Sequence, residues 1–148
     1  MKFGFINLAA AVLVCILLIP NLIYAVKGPK RGETAGKKGI LILEQLGRYV
    51  SILLMVLPLW VWEFGFRSVF LMLLYFLGNG VLTITYLAVW VFYFRFPTRR
   101  KAMALAILPT GIFLLSGLSL RHWLLVCSSL LFGFTHIYIT WQNNKRTV

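Results

Sequence analysis

Five apolar runs alternate with short polar segments along the chain: residues 3–26, 40–62, 68–94, 102–120 and 123–141. A helix needs about 20 residues to cross a hydrocarbon core. The pattern therefore predicts an all-α fold: one polytopic transmembrane domain over residues 1–148, a bundle of five helices. Pro20 and Asn21 interrupt the first run, Gly78-Asn79-Gly80 the third and Pro109-Thr110-Gly111 the fourth. Kinks have a cause at such places. A proline also frees the backbone carbonyl one turn earlier. For Pro20 that is near Ile16, and a neighbouring helix has to satisfy it. The third run is the longest, so tilt or a kink is expected there. Within it Tyr75, Asn79, Thr83, Tyr86 and Trp90 recur at spacings of four, four, three and four, a single helical stripe.

Composition supports the same picture. The chain is 61% hydrophobic and only 12% charged, whereas a soluble domain carries about a quarter charged residues. Fifteen Lys and Arg stand against three acidic residues, a net charge of +12. On a soluble protein that excess suggests nucleic acid. Here the charges fall almost entirely between the spans, Glu44 and Arg48 aside, so the positive-inside rule explains them and no nucleic-acid partner is expected. Lys27, Lys30, Arg31, Lys37 and Lys38 fill the first long polar segment. Arg95, Arg99, Arg100 and Lys101 fill the second, and Lys145 and Arg146 follow the fifth span. The alternate segments hold only Lys2, Arg67 and Arg121. This predicts an N-terminus outside and a cytoplasmic C-terminus. The two basic segments are then expected to meet anionic lipids of the inner leaflet. Trp60, Trp62 and Trp123 are expected at the outer interface, and Tyr93, Phe96 and Trp141 at the inner one.

Polar residues inside a span are costly and face a bundle interior or a wet cavity. On the predicted topology Asn21, Glu44, Gln45, Arg48, Thr83, Tyr86, His136 and Tyr138 fall in the inner half of the bilayer, with Asn79 and Thr110 nearer the middle. The expected ligand-binding residues are Glu44, Arg48, Asn79, Tyr86, His136, Asn21 and Gln45. Two readings stand for Glu44 and Arg48. The i,i+4 pair neutralises itself as scaffold, or it serves a ligand or a proton. For His136 the readings are an interhelical hydrogen bond and a proton acceptor paired with Glu44. His122, beside Arg121, is expected at the surface.

Some chemistry is not expected. A metal centre needs clustered ligands, and Glu44 is the only acid within a span, so neither a metal nor another cofactor is implied. Cys15 and Cys127 differ in depth by roughly 12 Å at about 1.5 Å per helical residue. A disulfide does not span that, so two free thiols are expected.

The segments Pro20-Asn21-Leu22-Ile23-Tyr24, Leu43–Tyr49, Ser116–Trp123 and Gly133–Tyr138 resemble those of a group of small bacterial five-span integral membrane proteins. The resemblance covers nearly the whole chain and implies no established activity. It implies a bacterial cytoplasmic membrane, in keeping with the size and with the lack of an organelle-sorting signal. Five spans and the tryptophan content also resemble the tryptophan-rich sensory (translocator) proteins, in architecture alone, because their proline- and tryptophan-rich signature is missing. The reading that follows is binding or transport of a small polar or amphipathic molecule. Two alternatives stay open: an accessory subunit of a membrane complex, and an enzyme on an inner-leaflet lipid with His136 as base. Five spans enclose a small cavity, which a homodimer or larger complex would enlarge.

Overall fold

The computed structural model describes residues 6–28, 38–57, 59 and 65–145. Five helices carry them: α1 (Leu8–Lys27), α2 (Lys38–Val56), α3 (Val69–Arg95), α4 (Arg99–Ser119) and α5 (Trp123–Lys145). All five are long and apolar enough to cross a membrane.

Local chemistry sets the helix ends. The first helix starts at Leu8 rather than residue 3, because Asn7 caps it and accepts from the Ala10 N–H at 3.0 Å. Ser68 and Thr98 cap α3 and α4 in the same way. The second helix stops at Val56, six residues short of the expected Trp62. Pro58 disfavours helical geometry at Leu57, which already bends. Lys27, Arg95 and Lys145 sit in the last turns of α1, α3 and α5, where positive charge meets the negative end of the helix dipole. The fifth helix runs four residues past the expected Trp141. Its last turn is polar, which hides it from a hydropathy reading.

Hydrogen bonds and close contacts fix the helix directions. Ser51 and Ser128 are joined at 3.0 Å, and Glu44 meets His136, so α2 and α5 are antiparallel. Asn79 donates to Ser116, and toward the other end Lys101 donates to the Phe92 carbonyl, so α3 and α4 are antiparallel. The N–H of Asn7 donates to the Val56 carbonyl, and the Asn7 side chain reaches Tyr75. Thus α1 runs against α2 and along α3. Lys27, Lys38, Arg95, Arg99 and Lys145 consequently share one end of the bundle, called here the basic end. The α4–α5 turn lies at the other.

The row α3–α4–α5–α2 is tightly packed, and α1 closes it more loosely between α2 and α3. Only Ala10, Val14, Leu17 and Pro20 of α1 are buried, a stripe one residue wide. Between α2 and α5 the backbones nearly touch. A Cβ on Gly47 would lie 2.9 Å from the Phe132 nitrogen. Small residues at such contacts are how helices gain packing in lipid, where no hydrophobic force drives them together.

The polarity of α3 is reversed relative to a water-soluble helix. Its buried residues are Tyr75, Asn79, Thr83, Tyr86, Trp90 and Tyr93. Val69, Phe70, Leu77, Val81 and Ile84 are exposed instead. The stripe expected from sequence is this buried face, and α3 stays helical through Gly78-Asn79-Gly80. Tyr93, two residues before Arg95 at the basic end, is buried in the bundle; Trp60 and Trp62 lie outside the described residues.

Candidate functional site

Glu44 is buried on α2 with 6% of its surface exposed. The Arg48 guanidinium, one turn along the same helix, pairs with its carboxylate. His136 of α5 approaches the same oxygen, Nδ1 to Oε1 at 2.9 Å. The three meet because α2 and α5 come close at Gly47. Phe132 is the floor of the group. His136 stacks on its ring at 4.8 Å between centroids, and the Arg48 guanidinium lies 5.7 Å from the ring centre. The carboxylate is enclosed, while the Arg48 side chain is 39% exposed and that of His136 24%.

Arg48 and His136 open onto a cavity of about 70 Å³ to which all five helices contribute. Asn21 of α1 and Tyr86 of α3 complete its polar wall. The rest is apolar, with Leu17, Phe113 and Phe132 among the lining. Glu44 stands behind that wall, so among the described residues the cavity presents guanidinium, imidazole, amide and phenol but no carboxylate. The volume is that of about two waters at ~30 Å³ each.

Pro20 shapes the α1 side. The Asn21 side chain donates to the Leu17 carbonyl at 2.8 Å and to the Tyr86 hydroxyl at 2.7 Å, and Tyr86 in turn donates to Leu17 at 3.3 Å. The carbonyl that gathers extra donors is thus at Leu17, one residue beyond the expected Ile16. The same device recurs at Pro109, where Thr110 donates to the Ala106 carbonyl at 3.1 Å.

Of the residues expected in the site, Glu44, Arg48, His136, Asn21 and Tyr86 therefore come together. Gln45 does not. It is exposed, because one residue along a helix turns the side chain by about 100° away from Glu44. Asn79 is fully buried but bonds Ser116 at 3.0 Å, further toward the α4–α5 turn. Tyr138 is exposed and accepts from Gln142. Among the described residues no group of three or more His, Cys, Asp or Glu is placed to hold a metal ion. Cys15 and Cys127 are free and exposed.

The opposite end holds polar residues that sequence reasoning passed over or misplaced. His122 is 1% exposed, not a surface residue. Arg121 adopts the left-handed conformation at φ 54°, and the His122 N–H then closes on the Gly117 carbonyl at 2.8 Å. That turn folds His122 inward, where its Nδ1 accepts from the Leu125 N–H at 3.3 Å. Burial pushes the imidazole pKa below its ordinary value, against a smaller raising effect from a backbone hydrogen bond. Asn7 carried a signal, an N-cap residue just before an apolar run.

At the basic end, the Lys101 ammonium caps α3, donating to the Phe92 and Phe96 carbonyls at 3.2 and 2.7 Å. Arg95, Arg99 and Arg100 are exposed. Lys27 and Lys38 are described at the edges of the first basic segment; Lys30, Arg31 and Lys37 lie outside the described residues.

Comparison with protein-family models, with curated proteins and with solved structures finds no match to this chain.

Proposed function

We propose that this chain is a multi-pass protein of the bacterial cytoplasmic membrane that binds a small amphipathic molecule in its central cavity. The molecule has an anionic or hydrogen-bond-accepting head. One observation carries the reading: Arg48, His136, Asn21 and Tyr86 line the wall while, among the described residues, the one nearby carboxylate, that of Glu44, is held behind it. Donors facing an apolar surface suit a carboxylate or phosphate attached to a hydrocarbon body. A cavity of about 70 Å³ takes the head alone, so the body leaves the bundle sideways. The light packing of α1 against α2 and α3 favours that side. The excess of Lys and Arg at the basic end favours an outside N-terminus, which puts the polar wall nearer the cytoplasm. Exposed Arg95, Arg99 and Arg100 then meet anionic headgroups.

The test uses hexanoate, hexyl phosphate and 1-hexanol as probes, with thermal unfolding in a neutral detergent as readout. At a hundredfold excess over its dissociation constant a ligand stabilises by about 2.7 kcal/mol. For a chain of this size that is roughly 5–10 °C. One or both anionic probes should raise the midpoint of the wild type and not of Arg48→Met. Equal shifts from hexanol, or no shift from either anion, would sink the reading.

A further inference from the structure

His136 turns its two nitrogens to different surroundings. Nδ1 lies 2.9 Å from Glu44 Oε1, the oxygen that the Arg48 guanidinium also reaches. A guanidinium keeps its charge and only donates, so the oxygen that receives it belongs to the ionised carboxylate. The proton between Glu44 and His136 therefore sits on Nδ1. A neutral imidazole carries one proton, and the bond made by one nitrogen decides what the other can offer. With Nδ1 protonated, Nε2 is a lone pair. Glu44 stands behind the cavity wall while His136 is part of it, so Nε2 is the nitrogen left for whatever enters.

Few other charges face the ring. From α2, Glu44 and Arg48 cancel each other. From α3, Tyr86 is a phenol hydrogen-bonded to Asn21 of α1. Among the described residues, α4 adds only the apolar Leu105, Pro109 and Phe113 to the wall, and α5 adds Phe132 beside His136 itself. An anion entering beside Arg48 thus meets a lone pair at Nε2. It also leaves the loaded site with one uncompensated negative charge, which is costly away from water.

We propose that the cavity takes its anion together with one proton, which His136 receives on Nε2. This rests on the anion-binding reading above and adds the second species that must arrive. One anion and one solvent proton enter, one N–H bond forms at Nε2, and nothing leaves. The proton comes from solvent through the cavity, onto which the 24% exposed His136 side chain opens. The imidazolium then donates on both sides, to Glu44 through Nδ1 and to the head through Nε2. Loaded and empty sites carry the same net charge, so the membrane potential favours neither.

Titration calorimetry of the full chain in neutral detergent at pH 7.5 tests this, with hexanoate as the probe. Repeating it in buffers of different ionisation enthalpy counts the protons taken up per anion bound. The wild type should take up at least about half a proton, and its affinity should weaken by up to about tenfold per unit rise in pH. His136→Gln keeps an amide to donate toward Glu44. It should bind about tenfold more weakly, having lost a charge-assisted bond, and take up no proton. Binding by the wild type with less uptake than that overturns the proposal and leaves anion binding intact. Uptake that persists in His136→Gln places the proton on hexanoate and also overturns it. Should His136→Gln fail to fold or to bind, hexanesulfonate, whose head takes up no proton in water, decides on the wild type. Uptake on binding it supports the proposal, and binding without uptake overturns it. Failure of both probes to bind overturns it too, and if hexyl phosphate is also inert the anion-binding reading falls with it.

Discussion

Glu44 has two partners, and the consequence is a measurable redundancy. Arg48→Met leaves the carboxylate in contact with His136 Nδ1 at 2.9 Å. His136→Phe leaves Arg48 in place. Each single change removes one charge-assisted contact, and the exposed Arg48 side chain discounts its share. About 1 kcal/mol for each is expected. The double substitution strands a carboxylate that is 6% exposed, and an uncompensated buried charge costs about 3–5 kcal/mol. The double should therefore exceed the sum of the singles by roughly 1–3 kcal/mol. At about 2–4 °C per kcal/mol, the singles lower the midpoint by a few degrees and the double by roughly 10 °C. Adding Glu44→Gln to the double should recover most of the loss. Circular dichroism in detergent is the assay of choice. A thiol-reactive dye is unsuitable because Cys15 and Cys127 are exposed before unfolding. Strict additivity of the two singles would refute the idea that Arg48 and His136 support the same carboxylate redundantly.

Two further predictions concern the other end and the helix contacts. His122 has a lowered pKa when folded, and in the unfolded chain it titrates near 6.5. As pH falls through 6.5 the unfolded state takes up a proton that the folded state refuses, so stability should drop. The fall in midpoint between pH 7.5 and 5 should be shallower in His122→Gln, and parallel curves would contradict the burial argument. Gly47→Ala places a Cβ 2.9 Å from the Phe132 backbone and should cost about 1–3 kcal/mol. Gly80→Ala meets nothing within 4 Å and should gain about 0.5–1 kcal/mol. Equal midpoints for these two variants would argue against the close α2–α5 approach.

The five helices were legible because apolar runs of this length are rare outside helices that cross a bilayer. The buried stripe of α3 was legible too, since its polar residues repeat at the helical period. Glu44 and Arg48 could be paired from spacing alone, and the depth expected for His136, level with them along the bundle, suggested its place beside them. Gln45 misled because depth was read without azimuth; adjacent helical residues share a level and not a face. His122 misled for a different reason. A polar pair in a short turn looks exposed, and only the left-handed Arg121 turns the imidazole inward. The Ser51–Ser128 bond was invisible because it depends on which helices are neighbours, and nothing in single-helix periodicity states that α2 packs on α5.

That neighbour relation has a consequence for how the protein is made. The tightest partner of α2 is the last of the five helices to leave the ribosome. While α3 and α4 are being inserted, the face around Gly47 and Ser51 has no cover, and Glu44 has only its own-helix arginine. Arrival of α5 delivers Phe132, Ser128 and His136 to that face together. A nascent chain stalled before residue 123 thus displays an unfinished polar seam to the membrane.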